Sequence, residues 1–259
     1  MSGKGKSPTP LRRVLEVLVL CAILGLVWEL LTDLRHWDTA FVASPSRILQ
    51  ALIELRSQFL EDLLFTLRWI IWGTAFTVVA AVAAAILLHL LPEWISRPVY
   101  GVLVVLQCIP VFALTPALVY WAGIGSTTRL ITIFLVSFFP ALVSTADGLR
   151  TMDPDLVDLF KSMKASRWQT LIRLELPSAL AMVLVGIKVT FTMSAIGVVV
   201  AELMVTERIG LGYRPKEALS HYRMDEAFAA MLLLAGTVAL LYGLLSLALR
   251  KLEYVRRDS

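Results

Sequence analysis

The side chains able to do chemistry are scattered along this sequence. His36, His89 and His221 stand alone, without the paired spacing of a metalloenzyme, so no metal site is expected. Cys21 and Cys108 lie far apart in separate apolar blocks and read as small packing residues. Gly5-Lys6-Ser7 imitates the end of a phosphate-binding loop, but the first glycine of that loop would fall ahead of Met1, so no nucleotide site is expected. No His, Cys and carboxylate set clusters in the way an embedded enzyme requires. Lys188 stands out, because it lies well inside an apolar run, about 15 Å along a helix from its start. An ammonium at that depth in lipid either attracts an anion or pairs with a carboxylate of another helix, and pairing is the favoured reading. Thr190, Thr192 and Ser194 follow on the same run, and Gln107 lies beside Pro110. Such groups either line a solute path or bond a backbone carbonyl or a neighbouring helix, the more usual use of hydroxyls in membrane helices.

The elements that would position these groups are written in the hydropathy. The chain of 259 residues is 58% hydrophobic with a mean hydropathy of +0.77, well above soluble domains. Its apolar residues come in blocks of about twenty, the length that spans a hydrocarbon slab. Six such spans are expected, over 11–31, 65–91, 99–121, 130–147, 178–205 and 227–249. A polar tail occupies 1–10, and the basic start with no A-x-A-like site after Leu31 argues for a retained first span over a cleaved signal. The loop over 32–64 carries Ile48, Leu49, Leu52, Ile53 and Leu55 at helical spacing after Pro45, which predicts a helix lying at the membrane surface. Pro110 and Pro116 should kink or break the third span. The fold class expected is therefore all-α and polytopic.

Lys and Arg collect in the N-tail, at Arg97, in the segment 148–176 and in the C-tail 250–259, and are fewer in the alternate connections, including the second polar excursion 206–226. The positive-inside rule then puts both termini and the 148–176 segment in the cytoplasm. The net charge of +4 flanks the spans and forms no stripe, which suits a lipid bilayer and excludes nucleic acid as the partner.

That cytoplasmic segment reads as two short helices meeting at a corner. Asp153-Pro154 supplies an N-cap and a first-turn proline. Leu156, Val157, Leu159, Phe160 and Met163 then share one helical face. Ser166 and Gln169 have capping-box spacing, Trp168, Leu171 and Ile172 make the next stripe, and Pro177 is expected to separate this helix from the fifth span. An amphipathic hairpin of this kind either meets a protein partner or lies flat on its own bundle.

The segment resembles the loop signature of the membrane-spanning permease subunits of binding-protein-dependent ABC importers, E-A-A, three residues, Gly, nine residues, Ile-x-Leu-Pro. Asp158-Leu159-Phe160 stands at the triplet and Leu174-Glu175-Leu176-Pro177 at the end. Ser44-Pro45-Ser46, Gly148-Leu149-Arg150, Ala165-Ser166-Arg167-Trp168-Gln169 and Gly197 through Glu202 resemble the nitrate/sulfonate/taurine branch, and the likeness runs from Pro45 to Leu252. It implies a type I importer fold, a second permease copy as a homodimer, a cytoplasmic ATPase dimer that binds ATP and Mg, an external solute-binding protein, and a bacterial inner-membrane location. This chain would bind no cofactor and catalyse nothing itself. Asp158, Leu159, Phe160 and Met163 would sit in the ATPase groove, with Ser166 and Arg167 fixing the second helix. ATP-driven closure would swing the hairpins and open the pathway outward.

Two departures bear on that carry-over. Lys164 stands at the family's Gly, so either the turn differs or a Cβ is held in a left-handed conformation at about 1–2 kcal/mol. Asp158-Leu159-Phe160 is bulkier than the small triplet, so the partner groove should differ in shape. Glu202, at the far end of the fifth span, is counted with Lys188, Thr192, Ser194 and Gln107 as a candidate for the substrate pathway, and otherwise contacts the binding protein or caps the Gly-rich excursion, with the cap favoured. The region 186–202 resembles permeases for thiamine-pyrimidine precursors and riboflavin-like or aromatic compounds, with sulfonates, taurine and nitrate close behind. The chief rival is a secondary transporter or channel, against which stand the long amphipathic hairpin and the scarcity of intramembrane carboxylates.

Overall fold

In the computed structural model, residues 10–34, 42–204 and 207–257 are described. The tail 1–9 with Gly5-Lys6-Ser7, and His36, lie outside them. Eleven α-helices follow in order among the described residues: α1 Pro10–Leu34, α2 Pro45–Glu54, α3 Arg56–Leu90, α4 Glu93–Leu106, α5 Val111–Ala122, α6 Ser126–Arg150, α7 Pro154–Ser162, α8 Arg167–Thr170, α9 Leu176–Met204, α10 Arg214–Ser220 and α11 Met224–Arg257. By length and composition four rods are long and apolar enough to cross a bilayer, and a fifth if the bent pair α4–α5 counts as one. Of the span expected over 11–31, Ala22–Thr32 within α1 is a shorter apolar helix. The protein is an all-α polytopic membrane protein.

The centre is α6 packed along α9, with α3 against both. Close approach rests on missing side chains: a Cβ at Gly197 would lie 2.9 Å from Ile133 Cα, and one at Gly186 would lie 3.0 Å from Ser144 Cβ. Small residues replace apolar driving force where the surroundings are already apolar. Ile70, Ile133, Phe191, Ala195 and Val198 fill one end of this contact, and Ala81, Ala85, Leu88, Leu142 and Ala146 the other. Inside it the Ser137 hydroxyl donates to Thr77 Oγ1 at 3.2 Å.

Several boundaries differ from the sequence expectation. The break expected in the third span over 99–121 is there, with two helices bent by 93°, but it falls at only one of its two prolines. The break falls at Gln107–Pro110, where Cys108 and Ile109 donate to carbonyls only three residues back and Pro110 has no N–H. Pro116 breaks nothing and sits inside α5, as membrane helices tolerate. The helix holding 65–91 already begins at Arg56, and α11 continues through most of the expected tail, to Arg257. The excursion 206–226 contains α10.

The amphipathic stretch after Pro45 is helical, as α2, but its inner face is covered by protein. Ile48 and Ala51 pack with Phe59, Leu211, Ala229 and Ala230, while Leu49 and Ile53 point outward. The Glu29 carboxylate of α1 accepts from Ser46 N at 3.0 Å and Ser46 Oγ at 2.7 Å, closing the start of α2.

The largest correction concerns Pro177. It does not separate two helices: α8, one π-helical turn over Leu171–Glu175, and α9 form a single rod, Arg167–Met204. Leu176 N donates five residues back to Leu171 O, and this widened turn accommodates a residue with no N–H to offer.

Candidate functional site

The hairpin is built by short-range chemistry. Asp153 caps α7 by accepting from Asp155 N at 3.0 Å. At the other end Ala165 N donates to Phe160 O at 3.0 Å and Lys164 N to Lys161 O at 2.9 Å, the paired bonds of a Schellman motif. That motif needs a left-handed residue, and Lys164 takes it with φ of 57°. The turn is therefore the one a glycine would make, with a Cβ forced into it. Lys164→Gly is expected to raise stability by about 1 kcal/mol, read as a higher melting temperature in detergent with uptake retained.

No residue of α7 is buried. Leu159 is 53% exposed and Met163 71%, Asp158 forms only a solvated pair with Lys161 at 2.9 Å, and Phe160 is half-buried. Trp168 and Ile172 extend this apolar surface onto the second arm. The arm itself is anchored. Ser166 and Gln169 form the capping box, with Gln169 N donating to Ser166 Oγ and Ser166 N to Gln169 Oε1. Leu171 is buried with Leu149 and Ala179. Arg167 Nη2 donates to His89 O at 3.0 Å, and His89 Nε2 meets Glu175 Oε2 at 2.9 Å. His89, isolated in sequence, thus ties the end of α3 to the arm.

The structure distributes the pathway candidates over α9 and its neighbours. Lys188 is half-buried, and its ammonium has no ion pair or hydrogen bond among the described residues. The carboxylate partner favoured from sequence is not found there. Thr192 Oγ1 donates to Lys188 O at 3.3 Å. Ser194 and Thr190 are buried, and neither hydroxyl has a partner among the described residues. Gln107 is exposed in an open groove of about 380 Å3 where the α4–α5 break faces Ile196 and Val200. Gln107 therefore meets the far half of α9, while Lys188 and Thr192 lie nearer its middle.

At the end opposite the hairpin, Glu202 belongs to a network the sequence did not announce. It is 1% exposed and accepts from Gly212 N at 2.7 Å and from Thr66 Oγ1 at 2.9 Å. Thr66 Oγ1 in turn accepts from Leu211 N at 2.9 Å. Asp62 accepts from Gly210 N at 2.8 Å and is paired with Arg214, which also reaches Glu217 at 3.2 Å. Burial opposes the charge on Arg214, but the Asp62 carboxylate outweighs it and leaves the guanidinium pKa above its ordinary value. Gly210 has φ of 110°, and a Cβ there would lie 2.4 Å from Glu202 Cδ. Beside it Arg129, 1% exposed, pairs with Glu207 and lies over the rings of Phe65 and Trp69 at 4.7 and 4.9 Å. Two carboxylates and one hydroxyl thus hold the 210–212 turn down by its backbone N–H groups.

Comparison with known proteins agrees with this architecture. Residues 77–254 match the family model described as the binding-protein-dependent transport system inner membrane component. The chain is 32% identical over 248 residues to the formylaminopyrimidine transport permease protein of Halalkalibacterium halodurans, covering 94% of this chain and 95% of that one. It is 30% identical over 230 residues to a probable ABC transporter permease protein of Haemophilus influenzae, covering 89% and 93%. With the taurine transport system permease protein of Escherichia coli the identity is 28% over 252 residues, covering 93% and 88%. The chain belongs to the binding-protein-dependent transport system inner membrane component family, as an ABC importer permease of the sulfonate/taurine-like branch.

Proposed function

We propose that this chain is the permease subunit of an ATP-driven importer for a small anionic or aromatic nutrient, working as a homodimer in a bacterial inner membrane. Both termini and the 153–177 hairpin face the cytoplasm. An ATPase dimer carrying ATP and Mg docks on α7 through Leu159, Phe160 and Met163, and an external binding protein delivers the solute. The observation that carries this reading is the naked face of α7: a capped helix with an apolar stripe and no buried residue. A helix that buries none of its residues in its own chain is built to be covered by something else. The same observation weighs against the hairpin lying flat on its own bundle.

The solute class rests on Lys188 and on the relatives. An ammonium in the middle of a span with no carboxylate partner among the described residues favours an anionic solute group over a structural ion pair. Taurine, a zwitterion whose sulfonate is its anionic end, and formylaminopyrimidine, an aromatic ring, name two relatives and bracket the class. Thr192, Gln107 and Ser194, whose buried hydroxyl has no partner among the described residues, belong to the same path in this reading, whereas Glu202 holds the 210–212 turn.

The test is uptake in proteoliposomes holding this chain with its ATPase. Import is expected only with ATP on the ATPase side and binding protein on the other, and import that persists without ATP would favour a secondary transporter. Ligands that raise the binding protein's melting temperature identify the solute. Lys188→Met is expected to cut import of an anionic solute about tenfold or more with expression unchanged. Normal rate and selectivity in that variant would remove Lys188 from the path.

A further inference from the structure

Where α3, α4, α6 and α8 meet at the hairpin end they leave a cleft of about 510 Å3. Its floor is apolar, made by Ala85, Leu88 and Ala146 of the α3–α6 core. Its rim carries three guanidinium groups, Arg97, Arg150 and Arg167, against one carboxylate, Glu93. A hollow with an apolar floor and a cationic rim, at the level where spans leave the hydrocarbon, fits an amphiphile better than a free ion.

The rim charges are not equivalent. Arg97 is matched by Glu93 at 2.7 Å, with both side chains mostly exposed, so this pair is solvated and weak. Glu175 is engaged by His89, and Asp147, one turn before Arg150, is exposed to solvent. Arg167 uses one donor on His89 O and keeps the rest of its five. Arg150 has no hydrogen bond or ion pair among the described residues. Its guanidinium lies instead 4.9 Å over the Tyr100 ring, which fixes its plane and leaves its N–H groups open. Two guanidinium groups with free donors, brought to one cavity by different helices, form an arrangement suited to a phosphate.

We propose that this cleft binds the phosphate of an anionic phospholipid from the leaflet on the hairpin side, with Arg150 and Arg167 on the headgroup and the acyl chains leaving along Leu91 and Pro92, apolar lining residues that are not buried. Because Arg167 opens the rod that continues into α9, the bound lipid clamps the foot of that rod to the membrane surface.

The test needs neither solute nor nucleotide, so its failure is separate from failure of the transport reading. The full-length chain, purified with its associated subunits, is placed in neutral detergent with graded phosphatidylglycerol or phosphatidylcholine, and bound lipid is counted by native mass spectrometry. Phosphatidylglycerol is expected to be retained over phosphatidylcholine, and Arg150→Gln to weaken retention about tenfold. Arg150 is exposed, so this variant should fold; Arg150→Lys, which keeps the charge without the fork, should fall between the two. Arg250→Gln with Lys251→Gln, removing exposed charge elsewhere, should leave retention unchanged. Wild-type retention in Arg150→Gln would overturn the site. Displacement of the lipid by millimolar inorganic phosphate would overturn the lipid assignment. Loss of the ATPase from Arg150→Gln with lipid retention intact would assign the rim to a protein carboxylate and overturn it also.

Discussion

Placing glutamate at both Leu159 and Met163 is expected to strip the ATPase from the purified transporter and abolish import. Leu159 on α7 and Met163 at its C-cap both stand mostly exposed on its apolar stripe. Burying each in a partner groove contributes about 1.5–3 kcal/mol, and each glutamate adds the desolvation of a charge. Losing about 4 kcal/mol weakens the complex about a thousandfold, enough to lose it during purification. The permease itself should be untouched, since exposed substitutions shift folding stability by about 0.5 kcal/mol or less. Co-purification of the two subunits, with the permease melting temperature as control, reads both halves. An intact complex carrying both glutamates would show that α7 is not the docking element.

The second large effect is expected at Glu202. Glu202→Leu leaves Gly212 N and the Thr66 hydroxyl without their acceptor in a region closed to water, and each buried orphan costs about 1–3 kcal/mol. A total of about 3 kcal/mol is expected, seen as a lower melting temperature and as faster amide exchange over 207–213. Glu202→Gln keeps an acceptor oxygen and should lose roughly half as much. A solute-binding role predicts a different pattern: Glu202→Gln would then shift the transport KM and leave the melting temperature alone.

The hairpin was legible because its signals act over a few residues. Asp153 reaches two positions along, Ser166 and Gln169 reach three, and the apolar stripe of α7 repeats with the helix. The continuity through Pro177 was not legible, because a proline reads as a stop unless a π-helical turn happens to absorb it. Pro110 and Pro116 look alike in sequence and behave differently, since only the first follows a turn already tightened to three-residue bonds. The Glu202 network was illegible for another reason. Thr66 lies 136 residues from Glu202, and Asp62 lies 148 from Gly210 and 152 from Arg214, separations at which no local spacing rule operates. Only the glycines that follow Glu202 point to a capping role for it, and no local pattern marks Arg129, whose partners Glu207, Phe65 and Trp69 all lie on other segments. Lys188 was legible as a charge in lipid, but its freedom from a carboxylate depends on which side chains the neighbouring helices turn toward it.

The unbroken rod from Arg167 to Met204 makes the protein a stiff pushrod. Trp168, at its foot, and Lys188, about 30 Å further along at 1.5 Å per residue, cannot move independently unless the π-helical turn bends. A tilt of about 10° about the foot displaces the Lys188 level by about 5 Å, half the width of a helix with its side chains. Any give along the rod is then confined to that single widened turn, and stiffening or softening it would tune how far a displacement at Trp168 carries to the level of Lys188.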